Sequence, residues 1–185
     1  MARRGVFSRS RRFRAFFASA RKLLFCALLW FAWSMQALTL QELEADPKLS
    51  PRRFASYFAD FDYELIDEVQ PHDVFLKRKR GDCDDYATLA DSVLSKRNYQ
   101  TRLITVRMPG LTHVVCYVLP DKVYLDYNIR NDRKKIVECR DSLYAIADKV
   151  ARSFDANWTT ASEFKFEDGL KRTLRTVAST DKRKE

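Results

Sequence analysis

Three residues of this chain can act together as a nucleophile, a base and an orienting acid: Cys83, His113 and Asp126. Cys83 stands in the run Gly81-Asp82-Cys83-Asp84-Asp85-Tyr86-Ala87. From there the apolar residues Tyr86, Leu89, Ala90, Val93 and Leu94 recur at helical spacing, which places the cysteine in the first turn of the clearest helix in the sequence. The reactive form of a cysteine is the thiolate, and the unpaired N–H groups of a helix N-terminus stabilise an anion. Asp82, Asp84 and Asp85 oppose that effect, because neighbouring acids disfavour a further negative charge. Helix position alone is therefore insufficient, and an imidazole is required.

The chain has two histidines. His72 follows Pro71 in a loop and reads as a surface residue, whereas His113 opens a strand-like run to Leu119. On that strand His113, Val115 and Tyr117 face one side, and Val114, Cys116 and Val118 face the other. On the next run, Val123 to Asn128, Tyr124, Asp126 and Asn128 share a face. A two-residue loop at Pro120-Asp121, or a four-residue loop from Leu119 to Lys122, pairs Val115 with Asp126. His113 and Asp126 then become diagonal neighbours on one face, roughly 7–8 Å apart at Cα. A three-residue loop turns Asp126 to the opposite face. Taken singly, Cys83 reads as a buried thiol, His113 as a satisfied core histidine and Asp126 as a turn acid. Their combination and order fit a Cys/His/Asp arrangement.

The surrounding elements follow from local signals. Ser50-Pro51 is an N-cap with proline at the first helical position, ahead of Phe54, Tyr57, Phe58 and Phe61. Pro71 opens a further turn of helix that ends near the solvated run Lys77-Arg78-Lys79-Arg80. Strands are expected over Thr101 to Arg107, His113 to Leu119 and Val123 to Asn128. Their connections are too short for parallel crossovers, so antiparallel pairing is expected. Asp141-Ser142 caps a helix carrying Leu143, Ile146, Ala147 and Val150, Glu163 to Phe166 forms a last short strand, and a polar tail frays from Ser179. The sum is an α+β domain over residues 38–178, with a central helix bearing an N-terminal cysteine packed on a small antiparallel sheet, and a tail over 179–185. A chain of 185 residues with 46% hydrophobic and 13% aromatic content suffices for one such core.

The net charge of +9 is concentrated at the start. The first 22 residues hold eight basic residues and no acid, leaving 26 basic against 25 acidic residues beyond them. A nucleic-acid reading needs a basic face on the domain itself, and because the domain is nearly neutral that class is set aside. The basic stretch runs into the apolar segment Leu23 to Trp33, the order of a secretory signal, with cleavage after Ser34 or Ala37. The uncharged stretch reaches Leu40, about the ~18 residues of a membrane span, so an uncleaved anchor is the competing reading for residues 1–37. Either way the domain is exported, periplasmic or secreted, with membrane contact confined to that segment. Cys83, Cys116 and Cys139 remain, and in an oxidising compartment a Cys116 to Cys139 bridge is open. Cys116 points away from the face of His113.

Gly-Asp-Cys83-Asp-Asp-Tyr-Ala, then His113 on a strand, then Tyr-Leu-Asp126 on the next, resembles the transglutaminase-like superfamily, whose fold is related to papain-like proteases. The resemblance covers roughly residues 70–130 and implies nucleophile, base and orienting acid for Cys83, His113 and Asp126. The Asp-Cys-acid-Asp-Tyr form is similar to bacterial periplasmic transglutaminase-like cysteine peptidases, some of which bind calcium through acids beside the cysteine. Asp82 and Asp84 match those positions. The Cys-to-His and His-to-Asp intervals, 30 and 13 residues, are shorter than in that subgroup. No cofactor or metal is assigned, and both acids are read as solvated caps.

The resulting expectation is a hydrolase that cleaves amide, peptide or isopeptide bonds in a protein or peptide through a thioester on Cys83. The backbone N–H of Cys83 is the natural first oxyanion donor. No second donor is evident, since Lys77 does not replace the glutamine that papain-like enzymes place ahead of their cysteine. The alternative is an inactive transglutaminase-like binding domain in the cell envelope.

Overall fold

A computed structural model describes residues 38–181 of the chain; the expected signal or anchor over residues 1–37 lies outside them. Among the described residues no helix is long and apolar enough to cross a membrane.

The chain enters through α1, Leu40–Ala45. Thr39 and Glu42 close a reciprocal capping box at its start, each side chain meeting the other's backbone N–H. α2, Pro51–Ser56, is capped by Ser50, whose hydroxyl accepts from Arg53 N–H. It is shorter than the expected aromatic helix, and Phe58 and Phe61 reach the core from the turns that follow. β1, Asp62–Tyr63, pairs in parallel with β2, Arg80–Gly81, on the far side of α3, His72–Arg78. His72 is therefore the half-buried first residue of a helix, not a loop residue. Burial is the main cause that pulls its pKa down.

α4, Cys83–Ser95, is the central helix. The strands are β3, Thr101–Met108; β4, Leu111–Val118; β5, Val123–Leu125; β6, Val137–Glu138; β7, Thr160–Glu167; and β8, Leu170–Ala178. α5, Leu143–Ser153, is capped by Ser142 as expected. The six strands form one antiparallel sheet in the order β6-β5-β4-β3-β7-β8. The molecule is thus a mixed α and β fold with one dominant sheet.

Several elements differ from expectation. β4 starts two residues before His113, and β5 stops at Leu125, so Asp126 lies just beyond the strand. The last expected strand extends to Thr160–Glu167 and is followed by β8, which was not anticipated. Ser179 is not frayed: its N–H donates to Thr159 O, its carbonyl accepts from the Tyr144 hydroxyl, and it opens a 3₁₀ turn over Ser179–Asp181.

The strands alternate between two cores. Leu103, Val114, Cys116, Val118, Leu125 and Phe164 face α4 and the N-terminal helices, where Phe58 packs against Phe54, Phe61, Phe75 and Tyr86 at centroid distances of 4.8–5.9 Å. Ile104, Val106, Val115, Tyr117, Tyr124 and Ala161 face α5. Each fully buried large side chain contributes about 1.5–3 kcal/mol. The same alternation decides the thiols. Cys116 lies in the α4-side core and Cys139 packs on the α5-side core, and both are free, so the Cys116 to Cys139 bridge does not form.

Candidate active site

Asp82 starts α4 as its N-cap, and Asp85 completes a capping box with it. Cys83 is consequently the first helical residue, with its backbone N–H outside the helical ladder. It is half-buried, with its side chain free of any disulfide.

His113 reaches this point from the sheet. The β4–β5 register pairs Cys116 with Leu125 and Tyr117 with Tyr124, and its continuation sets Val115 opposite Asp126. This is the alignment expected from the four-residue connection Leu119 to Lys122, in which Lys122 takes a left-handed φ of 51°. His113 Nε2 lies 2.9 Å from Asp126 Oδ1, and both side chains are buried. Asp126 is itself fixed as the N-cap of a 3₁₀ turn over Tyr127–Ile129, where Oδ1 also accepts from Asn128 N–H at 2.9 Å.

Cys83 lies close enough to the imidazole for its sulfur and its charge to act on the ring. With Nε2 engaged by Asp126, Nδ1 is the ring nitrogen available to the sulfur. The ring also stands edge-on to Phe154 at the end of α5, with centroids 4.9 Å apart. The site therefore joins the two faces of the sheet, with the thiol coming from the helix on one face and the imidazole backed by the helix on the other. β5 pairs with β4 only across Cys116–Val118, so the His113 end of β4 has no β5 residue paired beside it.

Burial opposes the charged form of His113, but the hydrogen bond to Asp126, the nearby Cys83 sulfur and the charges of both outweigh it and raise its pKa to about 10. Its imidazolium accordingly persists through neutral pH, and a positive charge beside sulfur is what a thiolate requires.

Of the three acids near Cys83, two are withdrawn from solvent and Asp84 is half-buried. Asp82 is 3% exposed and Asp85 fully buried. Asp82 accepts from Asp84 N–H and Ile66 N–H. Asp85 accepts from Gln70 N–H and Gln70 Nε2, each at 2.6 Å, and from Asp82 N–H. The capping role of Asp82 stands, and its solvation is corrected. Burial, followed by the hydrogen bond and charge of Asp82 and the charge of Asp85, raises the Asp84 pKa. That keeps a proton in the cluster and reduces the negative charge beside Cys83.

One oxygen each of Asp82, Asp84 and Asp85 lies within 4.8 Å of the others. Calcium takes about six to eight oxygens. Here the oxygens of Asp82 and Asp85 serve N–H donors, and no cation is assigned to the three acids.

Among the described residues three buried side-chain oxygens lack a hydrogen-bond partner: Asp84 Oδ1, Tyr86 Oη and Asp126 Oδ2. All three belong to the first turn of α4 or to the Cys/His/Asp arrangement. Each costs about 1–3 kcal/mol, a concentration of strain typical of a functional site.

Three neighbours of the site were not foreseen. Gln70 is the glutamine near the cysteine, but its amide donates to Asp85 and to Arg80 O, and so faces the acids. Lys77 is exposed on α3. Tyr63, paired with Gly81, stands where the charges of Cys83, Asp82 and Asp84 act on its phenol, which burial first and then those charges push upward. Lys171 on β8 likewise lies within the fields of Asp84 and Cys83. The local sequence of Tyr63 carries no signal for this, because a two-residue parallel pairing places it.

Searches of protein-family models, of curated proteins and of solved structures return no match to this chain.

Proposed function

We propose that the chain is a cysteine hydrolase of the transglutaminase-like kind with a papain-related fold, acting on amide, peptide or isopeptide bonds. The observation that carries this reading is the buried His113–Asp126 pair set beside Cys83 at the start of α4. In that scheme the Cys83 sulfur attacks the scissile carbonyl carbon, forming a C–S bond and an oxyanion. The His113 imidazolium then gives its proton to the leaving nitrogen as the C–N bond breaks, leaving a thioester. The neutral imidazole next takes a proton from water, the water oxygen attacks the thioester, and as the C–S bond breaks the acid departs and the thiolate–imidazolium pair is restored. Asp126 keeps the ring aligned and stabilises its charged form, and the Cys83 N–H supplies the first oxyanion donor. In keeping with the N-terminal sequence, we place this activity outside the cytoplasm.

An activated peptide ester tests the scheme by intact-mass analysis. An acyl adduct on Cys83 that forms and then decays is expected, absent in Cys83→Ala. A folded protein that gains no adduct at Cys83 contradicts it. The second reading, a binding domain without turnover, draws on the unassigned second oxyanion donor. It predicts no hydrolysis of any amide or peptide, and hydrolysis lost in Cys83→Ala rules it out.

A further inference from the structure

In the β7–β8 hairpin Lys171 stands opposite Phe166, and Phe164, on the same face of β7, belongs to the α4-side core. Lys171 therefore emerges on the face of the sheet that carries the Cys83 helix. A lysine on an edge strand ordinarily extends into water, where it discourages edge pairing. This one folds back instead. Its ammonium lies 3.9 Å from the centroid of Phe164 and donates to Thr105 Oγ1 at 3.2 Å. Thr105 is buried on β3 and pairs with Val114, the neighbour of His113, while Val106 pairs with His113 itself. The charges of Asp84 and Cys83 act on the ammonium there, as does that of Arg107, two residues along β3 on the same face.

Among the described residues no carboxylate forms an ion pair with Lys171. Yet the sheet around it supplies such partners freely, since Lys165 and Arg172 both pair with Glu167. A cation held by a ring and a hydroxyl, with no counter-ion, beside a nucleophile is placed to receive an anion from outside. Resting on the hydrolase reading, we propose that Lys171, with Arg107 at the rim, recognises a carboxylate on the acyl donor close to the scissile carbonyl. The substrates are then acidic peptides, the carboxylate coming from a side chain or from a chain terminus.

Iodoacetate and iodoacetamide test this directly. Both alkylate sulfur by the same displacement, an S–C bond forming as iodide leaves, and they differ only in carboxylate against amide. The iodoacetate-to-iodoacetamide rate ratio at Cys83 is expected to fall roughly three- to tenfold in Lys171→Gln and further in Lys171→Glu, with Lys171→Arg retaining most of it. Thr105→Val, which removes the hydroxyl that holds the ammonium, is expected to lower the ratio as well. N-chloroacetyl-glutamic acid α-amide and N-chloroacetyl-glycine then separate the sources. The one whose rate falls more in Lys171→Gln carries the preferred carboxylate. A ratio unchanged in Lys171→Gln and Lys171→Glu overturns the inference and leaves the hydrolase reading standing. Failure of Cys83 to outpace a free thiol with either reagent counts against the hydrolase reading, and the ratio still tests Lys171.

Discussion

Among the described residues the two longest helices pack on opposite faces of one sheet and begin in different ways. α5 starts with Ser142, whose hydroxyl accepts from Ala145 N–H at 3.4 Å, and has no acid in its first turn. α4 starts with Asp82, Asp84 and Asp85, two of them buried, tied to Gln70 and through it to Arg78. A helix needs only the first kind of start, since one serine or threonine accepts from an orphan N–H group at little cost. Burying a carboxylate cluster is expensive and is repaid only by complete hydrogen bonding. On the proposed reading, the excess at α4 serves to hold Cys83 in a set position, whereas α5 backs His113 through Phe154.

The largest effect that sharpens this contrast lies at Asp126. Asp126→Asn keeps the shape of the side chain but removes the charge that holds His113 protonated. The rate of acyl transfer to Cys83 is expected to fall roughly 10²- to 10⁴-fold, measured by single-turnover kinetics with the same peptide ester. The fold is expected to persist, because Asn128 N–H can still be accepted by the amide oxygen.

The pH dependence of stability comes next. The folded pKa of His113, about 10, exceeds the ordinary value of 6.5. A raised pKa means that the imidazolium stabilises the fold fully below about pH 6.5, and that this contribution is lost as pH rises through about 10. A loss of a few kcal/mol between pH 6 and 10 is expected from urea midpoints, and a markedly smaller one in His113→Gln. An equal loss in both proteins would remove His113 as its source.

The two helix starts themselves give the smallest and most direct comparison. Asp85→Ala leaves Gln70 N–H and Asp82 N–H without their acceptor and Gln70 Nε2 with Arg80 O alone, and is expected to cost about 2–3 kcal/mol or more in chemical denaturation. Ser142→Ala is expected to cost about 1 kcal/mol or less. Similar values for the two would show that the acids of α4 do no more than cap it.

Much of the site was legible because it rests on two short-range periodicities. Helical spacing from Tyr86 to Leu94 places Cys83 at a helix start, and strand alternation places His113 and Asp126 on one face. What was not legible depends on contacts between distant segments. The pairing of Tyr63 with Gly81 spans an entire helix, and the contact of Lys171 with Thr105 crosses β7. Asp126 lies past the end of β5 because its own carboxylate caps the turn that follows, which ends the strand earlier than the apolar pattern suggests.

Two misses had signals in the sequence. Asp168-Gly169, with φ values of 52° and 74°, is a turn that demands a hairpin and hence β8. β8 was obscured because none of its residues is buried, so it shows no apolar face. Thr39-x-x-Glu42 is a capping box that announces α1.

The central claim is that His113 and Asp126 make Cys83 a nucleophile, and the alkylation rate of Cys83 by iodoacetamide near neutral pH tests it most directly. Cys83 in the wild-type protein is expected to react well above the rate of a free thiol and to lose that advantage in His113→Ala. A Cys83 that reacts no faster than a free thiol, or equally fast with and without His113, would contradict the account.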